Sequence, residues 1–454
     1  MRIASDPFAN ASSQHATQVE PDIASNGTTL VSAFQDGRFF VAGASGIGFS
    51  TSPNGGLTWS DGVLPGITRV QNPSNPFDTA SDPSVAYDAA HAAWLIVSLP
   101  VLTNGGSIPA AVVSRSSDGL HWSGPIAVAP GQSSTDKTWI TCDDTPASRF
   151  YGHCYIEWDD PSAGGLVKMS TSKDGGVSWS APLQTADGVT GIGGVPVVQP
   201  GGNVVVPLND FNQTLVRAFI STNGGASWNS AVTISTVTDH LVAGGLRTSP
   251  LPSAAVDGSG IVYVVWQDCR FRPRCSSNDL ILSRSADGIH WTAPLRIPID
   301  ATTSTVDHFI PGLGADPASG GNSARLALAY YFYPVANCST ASCQLQVGFL
   351  SSPNGGAAWT TPQPLTGPMS LRQLPATRDG LMVGDYIATT FASGVPVPVF
   401  AIALPPAGMP FNEAMYVPKR PVVLNQQHLR RAGQDRPVPG VASDHPPRRP
   451  RPIR

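Results

Sequence analysis

The stretch STSPNGGLTWS, residues 50–60, decides how the rest of the chain is read, because near copies of it return along the sequence. Ser52, Asn54, Gly56, Thr58 and Trp59 carry the pattern. It reappears as SKDGGVSW (Ser172 to Trp179), STNGGASW (Ser221 to Trp228) and SPNGGAAW (Ser352 to Trp359). Two copies, SSDGLHW (Ser116 to Trp122) and SADGIHW (Ser285 to Trp291), are one residue shorter. Self-similarity at roughly 50–70 residues indicates stacked units. Each part of the turn has a physical role. Asp or Asn accepts backbone N–H groups ahead of it, and Gly supplies the positive φ of a tight hairpin. Ser or Thr closes the turn from the other side, and Trp lays an apolar ring on the sheet. These are folding residues rather than catalytic ones.

The pattern Ser-x-Asp-x-Gly-x-Thr-Trp resembles the Asp-box, or bacterial neuraminidase repeat, over about residues 18–420. The resemblance implies an all-β propeller of the sialidase-like kind. It constrains activity less than fold, because hydrolases, lyases and pure binding proteins share this architecture.

Ahead of each turn the chain repeats one preamble of short strands. First strands are expected at EPDIAS (Glu20 to Ser25), DPSVAY (Asp82 to Tyr87), KTWITC (Lys137 to Cys142), GVPVV (Gly194 to Val198), LPSAAV (Leu251 to Val256), GLGAD (Gly312 to Asp316) and GDYIAT (Gly384 to Thr389). Second strands such as AAWLIVSL and IVYVVW are rich in the β-branched and aromatic residues of buried sheet. Seven first strands against six turns predict a seven-bladed β-propeller of four-stranded antiparallel blades over residues 1–424, with six blades as the alternative. Within it residues 1–17 are available to supply a ring-closing strand through RIAS (Arg2 to Ser5), which would pair with EAMYVP (Glu413 to Pro418) and remove an open sheet edge. Residues 425–454 are Arg- and Pro-rich with few aliphatics, and are expected to remain unfolded.

Abundant glycine (46) and proline (43) with only 13% charged residues suit many short strands joined by turns. The net charge is −4, and the segment after Gln427 holds seven Arg against two Asp, leaving the remainder near −9. An acidic body argues against nucleic acid as a partner. Six cysteines fall into local pairs, Cys142 with Cys154, Cys269 with Cys275 and Cys338 with Cys343, without CxxC spacing. They read as three disulfides in an oxidising compartment rather than as zinc ligands. The start MRIASDPFAN lacks the apolar run of a secretory leader, so an extracellular location rests on the cysteines and the resemblance. The most apolar run, VPVPVFAIALPP, is too short and proline-rich to span a membrane.

Strand alternation sends the starts of first strands and the ends of second strands to the face opposite the repeated turns. Charge gathers there: Glu20, Asp22, Asp82, Lys137, Arg247, Asp307, His308, Asp385 and Tyr386 at first-strand starts, then Asp36, Arg38, Asp159, Asp160, Asp210, Asp268, Arg270 and Tyr333 after second strands. Such a rim suits a polyhydroxylated or anionic ligand. QDGR and QDCR repeat one Asp-x-Arg, which reads more simply as a loop-fixing ion pair. CRFRPRC, closed by Cys269 and Cys275, carries more cation than such a role needs, through Arg270, Arg272 and Arg274. His153, His240 and His308 lack the spacing of a metal set, so no metal site or cofactor is expected, structural calcium being compatible with the sequence but not indicated.

The sialidase-like resemblance implies three arginines holding a substrate carboxylate, a tyrosine nucleophile assisted by Glu, and an acid/base Asp. On this sequence that assigns Tyr386 or Tyr333 as nucleophile, Glu157 as its partner, Asp385 as a further catalytic carboxylate, and Arg38, Arg247, Arg270, Arg272, Asp82 and Lys137 as substrate-binding residues. The family's Arg-Ile-Pro motif is missing ahead of the first turn; Arg296-Ile297-Pro298 follows the fifth turn, where the match is chance. The expected protein is a monomeric, exo-acting glycosidase on a sialylated or other acidic glycan, with a non-catalytic glycan- or protein-binding propeller as the alternative.

Overall fold

In the computed structural model, which describes residues 1–103, 105–422 and 429–443, short antiparallel strands follow one another with almost no helix, only four single-turn 3₁₀ segments. The first sheet contains Gln14–Asn26, Thr29–Arg38, Ala44–Ser52 and Ser60–Val63, and the second Thr79–Asp88, Ala93–Val101, Ala111–Ser116 and Ile126–Val128. One pairing, Ala44 with Ala80, joins these two into a continuous sheet. Three more units, each with four strand positions, are organised around the second strands Val204–Asp210, Val262–Asp268 and Leu326–Tyr333; in the first and third of them one position is filled by two short strands. Two further sheets have three strands each: Asp136–Cys142, Cys154–Asp160, Leu166–Ser172, and Ala388–Ala392, Val395–Ala403, Glu413–Tyr416.

Among the described residues complete four-stranded blades therefore number five, neither the seven nor the six expected from the repeat. The two incomplete sheets have separate causes. After the turn at Ser172 the outer segment pairs at isolated points, Met169 with Leu183 and Leu166 with Thr190, and a turn closed by Gly188 N–H on Thr185 O at 3.0 Å separates them, so no continuous strand forms. On the last sheet the outer place is taken by the N-terminus, where Arg2 pairs with Tyr416 and Ile3 N–H donates to Met415 O at 2.9 Å.

The core is divided among the seams between neighbouring sheets. Val31, Ile47, Trp94 and Ile96 pack between the first and second; Leu95, Val97, Ile156 and Trp158 between the second and third. Around the circle the largest cluster joins Ile23 and Phe34 of the first sheet to Ala327 and Tyr331, and to Val399 and Phe400 of the last sheet, so the ring closes on itself. Burial of such side chains is worth about 1.5–3 kcal/mol each, and it is spent on sheet-to-sheet contact.

The six repeated turns share one hydrogen-bond pattern. Ser52 Oγ accepts Gly56 N–H at 2.9 Å and Asn54 Oδ1 accepts Thr58 N–H at 2.9 Å; in a short copy, Ser116 Oγ accepts Gly119 N–H at 2.8 Å and Asp118 Oδ1 accepts His121 N–H at 2.8 Å. The glycine facing the preceding sheet is required for closeness as well as for φ. A Cβ on Gly176 (φ +79°) would lie 2.9 Å from Leu95 Cδ2, and one on Gly356 (φ +82°) 2.4 Å from Leu282 Cδ2. Five of the six turns are thereby pegs set into a neighbouring sheet; at Gly56 the nearest contact is a looser 3.7 Å.

The three disulfides form between Cys142 and Cys154, Cys269 and Cys275, and Cys338 and Cys343. The C-terminal stretch differs from its expected unfolded state over residues 429–443. Arg430 and Arg431 pair with Trp359 and Ala358, Asp435 bonds Arg296 at 3.0 Å, and Val438 N–H donates to Arg270 O at 2.8 Å. Composition missed this because the strap is held by backbone and ion-pair contacts instead of apolar burial; 425–428 and 444–454 lie outside the described residues.

Ser221, fully buried, accepts Gly225 N–H at 3.0 Å. Ser221→Ala should therefore lower unfolding stability by about 1–2 kcal/mol through the orphaned donor, read as a lower urea midpoint. Thr222→Ala, one residue along and exposed, should stay within about 0.5 kcal/mol of wild type.

Candidate functional site

In the first sheet Asn26 pairs with Thr29 at the end carrying the repeated turn, and Gln14 pairs with Arg38 at the other end. The starts of first strands and the ends of second strands consequently share the face away from the turns. On that face the first strands are irregular. One extra residue interrupts the pairing between Val19 and Asp22, between Ser81 and Ser84, between Asp136 and Trp139, and between Phe309 and Pro311. The bulged residues Glu20 (φ 56°), Asp82 (φ 46°), Lys137 (φ 48°) and Ile310 (φ 49°) all occupy the left-handed region, and all but Lys137 precede proline. Each such conformation costs about 1–3 kcal/mol, and bulges of this kind re-aim side chains.

The re-aimed side chains of three consecutive first strands meet at one point. Lys137 Nζ lies 2.7 Å from Asp82 Oδ1, 2.6 Å from Asp385 Oδ2 and 3.6 Å from Glu20 Oε1. Arg247 grips Asp385 with two nitrogens, Nε at 2.7 Å from Oδ1 and Nη2 on Oδ2. Asp82 Oδ2 also accepts Ser81 Oγ at 2.8 Å, and Gln35 Nε2 donates to Glu20 Oε2. Glu20, Asp82, Lys137 and Asp385 are all buried. Burial by itself would neutralise Lys137, but Asp385, Asp82 and Glu20 outweigh it and its pKa rises. Burial likewise drives Glu20 up to about 7, against the pull of Lys137.

This cluster forms the septum between two cavities. A cavity of about 500 Å³ on the face away from the turns is lined by Arg38, Asp82, Asp136, Arg247, Arg378 and Phe211 among others. One of about 300 Å³ on the turn side has Lys137 and Asp385 in its wall with Trp139 and Tyr386. In the larger one, Arg38 differs from the other cations. Its guanidinium bonds Gly43 O and Met382 Sδ (3.3 Å) and forms no salt bridge among the described residues, although its residue is only 2% exposed. Burial, then the neighbouring Arg247, lowers its pKa to about 10.

Arg38, Asp82, Lys137, Arg247 and Asp385 are thus brought together, whereas the remainder of the expected constellation is dispersed. Arg270 is engaged by Asp268 at 2.9 and 2.7 Å, the loop-fixing pair that the repeated Asp-x-Arg suggested. Arg38 does not pair with Asp36 in the same way; Asp36 accepts Gln18 Nε2 at 3.2 Å. Arg272 is fully buried between Asp279 (2.5 Å) and Asp300 (2.7 Å). Tyr386 OH donates to Pro83 O at 2.9 Å and Tyr333 OH to Ala243 O at 3.4 Å. Glu157 is buried against Gly194, where a Cβ would come 2.5 Å from its Cδ, and bonds to neither tyrosine. Burial raises its pKa, and that of Asp159, well above the carboxylate range.

Asp279, Asp300 and His308 converge closely enough to hold a cation. Arg272 and Arg296 already bond Asp279 and Asp300 there, so the donor set does not fit a metal ion. Sequence reasoning missed Asp136 and Arg378 as cavity residues, and it left Glu20 outside the catalytic set. The signal that could have found the bulges was the charged-residue–Pro pair in Glu20-Pro21 and Asp82-Pro83.

No family model matches this sequence, and no curated protein matches it. Solved structures do resemble it in fold. An ulvan lyase, from a new family of polysaccharide lyase, superposes with a TM-score of 0.51 at 10% identity over 92% of this chain and 95% of its own. A structure of an ulvan lyase bound to -[GlcA(1-4)Rha3S]- gives 0.50 at the same identity and coverage. A Hadza microbial sialidase gives 0.43 at 14% identity, over 89% of this chain and 67% of that one. Identities this low speak to the propeller fold alone.

Because Glu20 moves from 4.5 to about 7 on folding, the folded protein holds a proton that the unfolded chain releases across that interval. The associated stability is full below the unfolded pKa and is lost as pH rises through 7. Urea unfolding near pH 5 and near pH 8 should show wild type losing stability relative to Glu20→Gln at the higher pH. Parallel pH dependence of the two proteins would contradict the assignment.

Proposed function

We propose that the protein is an extracellular, monomeric, carbohydrate-active propeller that holds an acidic glycan in the cavity opposite the repeated turns and hydrolyses a glycosidic bond there. We read the turns themselves as Asp-boxes. The observation that carries the proposal is Arg38: a buried guanidinium without a carboxylate partner among the described residues, facing a cavity, beside Arg247. Leaving such a group uncompensated is costly unless a ligand anion completes it. The other charges of the cavity roughly balance, so selection comes from the position of Arg38 and not from a net positive field.

Glycoside hydrolysis needs one carboxyl group to protonate the leaving oxygen and another to serve the anomeric carbon or a water. Asp82 and Asp136 are the carboxyl groups of the inner rim that line the cavity. We assign the chemistry to them, with Lys137 and Arg247 fixing the floor. Sialidase chemistry through Tyr386 and Glu157 is not part of the proposal, because Tyr386 is turned to Pro83 O and Glu157 bonds neither tyrosine. A non-catalytic glycan-binding propeller is the second reading, favoured by how completely Asp385 is engaged by Lys137 and Arg247.

A panel of fluorogenic glycosides, including a sialoside and uronides, separates the two. Asp82→Asn should lower kcat about a hundredfold or more, and Arg38→Gln should raise KM for acidic substrates about tenfold. Turnover insensitive to both substitutions would reject the site. Absence of turnover together with Arg38-dependent binding of acidic sugars would establish the second reading.

A further inference from the structure

Beyond the cavity at the floor, the same face bears a second depression of about 550 Å³ lined by His240 to Leu246, Asn337, Asp379 and Gly380. The two share Leu241, Leu246 and Asp379 in their walls, so they adjoin. We infer that together they form one open groove that takes internal residues of an extended acidic polysaccharide, the floor over Arg38 and Arg247 holding one sugar and the depression its neighbours. This rests on the reading of the floor given above and extends it from a glycan to a chain polymer.

Three observations support it. First, the wall is anchored at several points, which makes it part of the scaffold. Arg247 N–H donates to Leu381 O at 2.7 Å, Leu381 N–H to Gly245 O at 2.9 Å, and Thr340 Oγ1 to Gly244 O at 2.7 Å, beside the Cys338–Cys343 disulfide. Second, glycine lets the wall close tightly behind the depression. A Cβ on Gly380 would meet Gly245 O at 2.7 Å and one on Gly244 would meet Cys343 Sγ at 2.8 Å, while Gly245 faces open space. Third, Leu241, at the junction of the two cavities, is 55% exposed, and Val41 on the opposite lip is 53% exposed. Exposed apolar side chains flanking a polar floor match the alternation of a pyranose chain, with C–H faces against Leu241 and Val41 and acidic substituents towards Arg38 and Arg378.

Calorimetric titration of the full chain with oligogalacturonates and chondroitin sulfate oligosaccharides of increasing length tests this. Affinity should climb about tenfold or more from disaccharide to hexasaccharide in at least one series. Asn337→Trp, which fills the depression from an exposed position, should abolish that gain while leaving disaccharide affinity unchanged; Leu241→Ser should reduce the gain. Disaccharide binding that depends on Arg38 but does not strengthen with length would overturn the groove and leave the floor site standing. Failure of every length to bind would overturn both.

Discussion

The Lys137 ammonium is shared by Asp82 and Asp385, with Glu20 behind them, and these groups come from the first three sheets and from the segment leading into the last. Taking that many charges out of water is expensive, and the geometry must be close to ideal for attraction to repay desolvation. The bulges in successive first strands supply that geometry. Regular strands would send Glu20, Asp82 and Lys137 along the pleat into the seams between sheets, where the core leaves no room for charge. Left-handed backbone at each of the three positions turns them to the axis instead. The strain is held in place by the seam packing and by the pegs that lock one sheet to the next, so the fold's apolar interlocking and its polar centre depend on each other.

The two ends of the ring divide these duties. Glycine-bearing turns on one side sit so close to the preceding sheet that a methyl group would collide with Leu95 or Leu282. That side is therefore committed to holding the ring together. On the other side loops carry the disulfides at Cys269 and Cys338, and the cavities open among charged and polar residues. The docked stretch 429–443 crosses between the sides, from Trp359 at a turn to Arg270 on the open face.

Much of this was legible in the sequence because it is local. The turns announce themselves through Ser, Asp or Asn, Gly and Trp at fixed spacing, the disulfides join near neighbours, and the face of Glu20, Asp82, Lys137, Arg247 and Asp385 follows from strand alternation. What failed was non-local. Tyr386 and Glu157 share the ring's centre in sequence logic, yet a bond to Pro83 O and burial against Gly194 separate them chemically. Arg38 and Arg270 occupy equivalent motifs, but only Arg270 folds back on its Asp, since Arg38 is drawn to Gly43 O and Met382. Blade completeness failed between Leu183 and Thr190, where a turn at Thr185 to Gly188 splits the outer strand into two isolated pairings. Residues 429–443 were missed because their contacts are made with partners far away in the chain.

The most direct test of the central cluster is a double-mutant cycle by urea unfolding of wild type, Lys137→Met, Asp385→Asn and the double variant. If one ammonium ties the sheets together, each single change should cost about 3–5 kcal/mol. The double should then fall short of their sum by about 1–3 kcal/mol. Additivity of the two losses to within about 0.5 kcal/mol would show that Lys137 and Asp385 stabilise the ring independently, and would contradict the account.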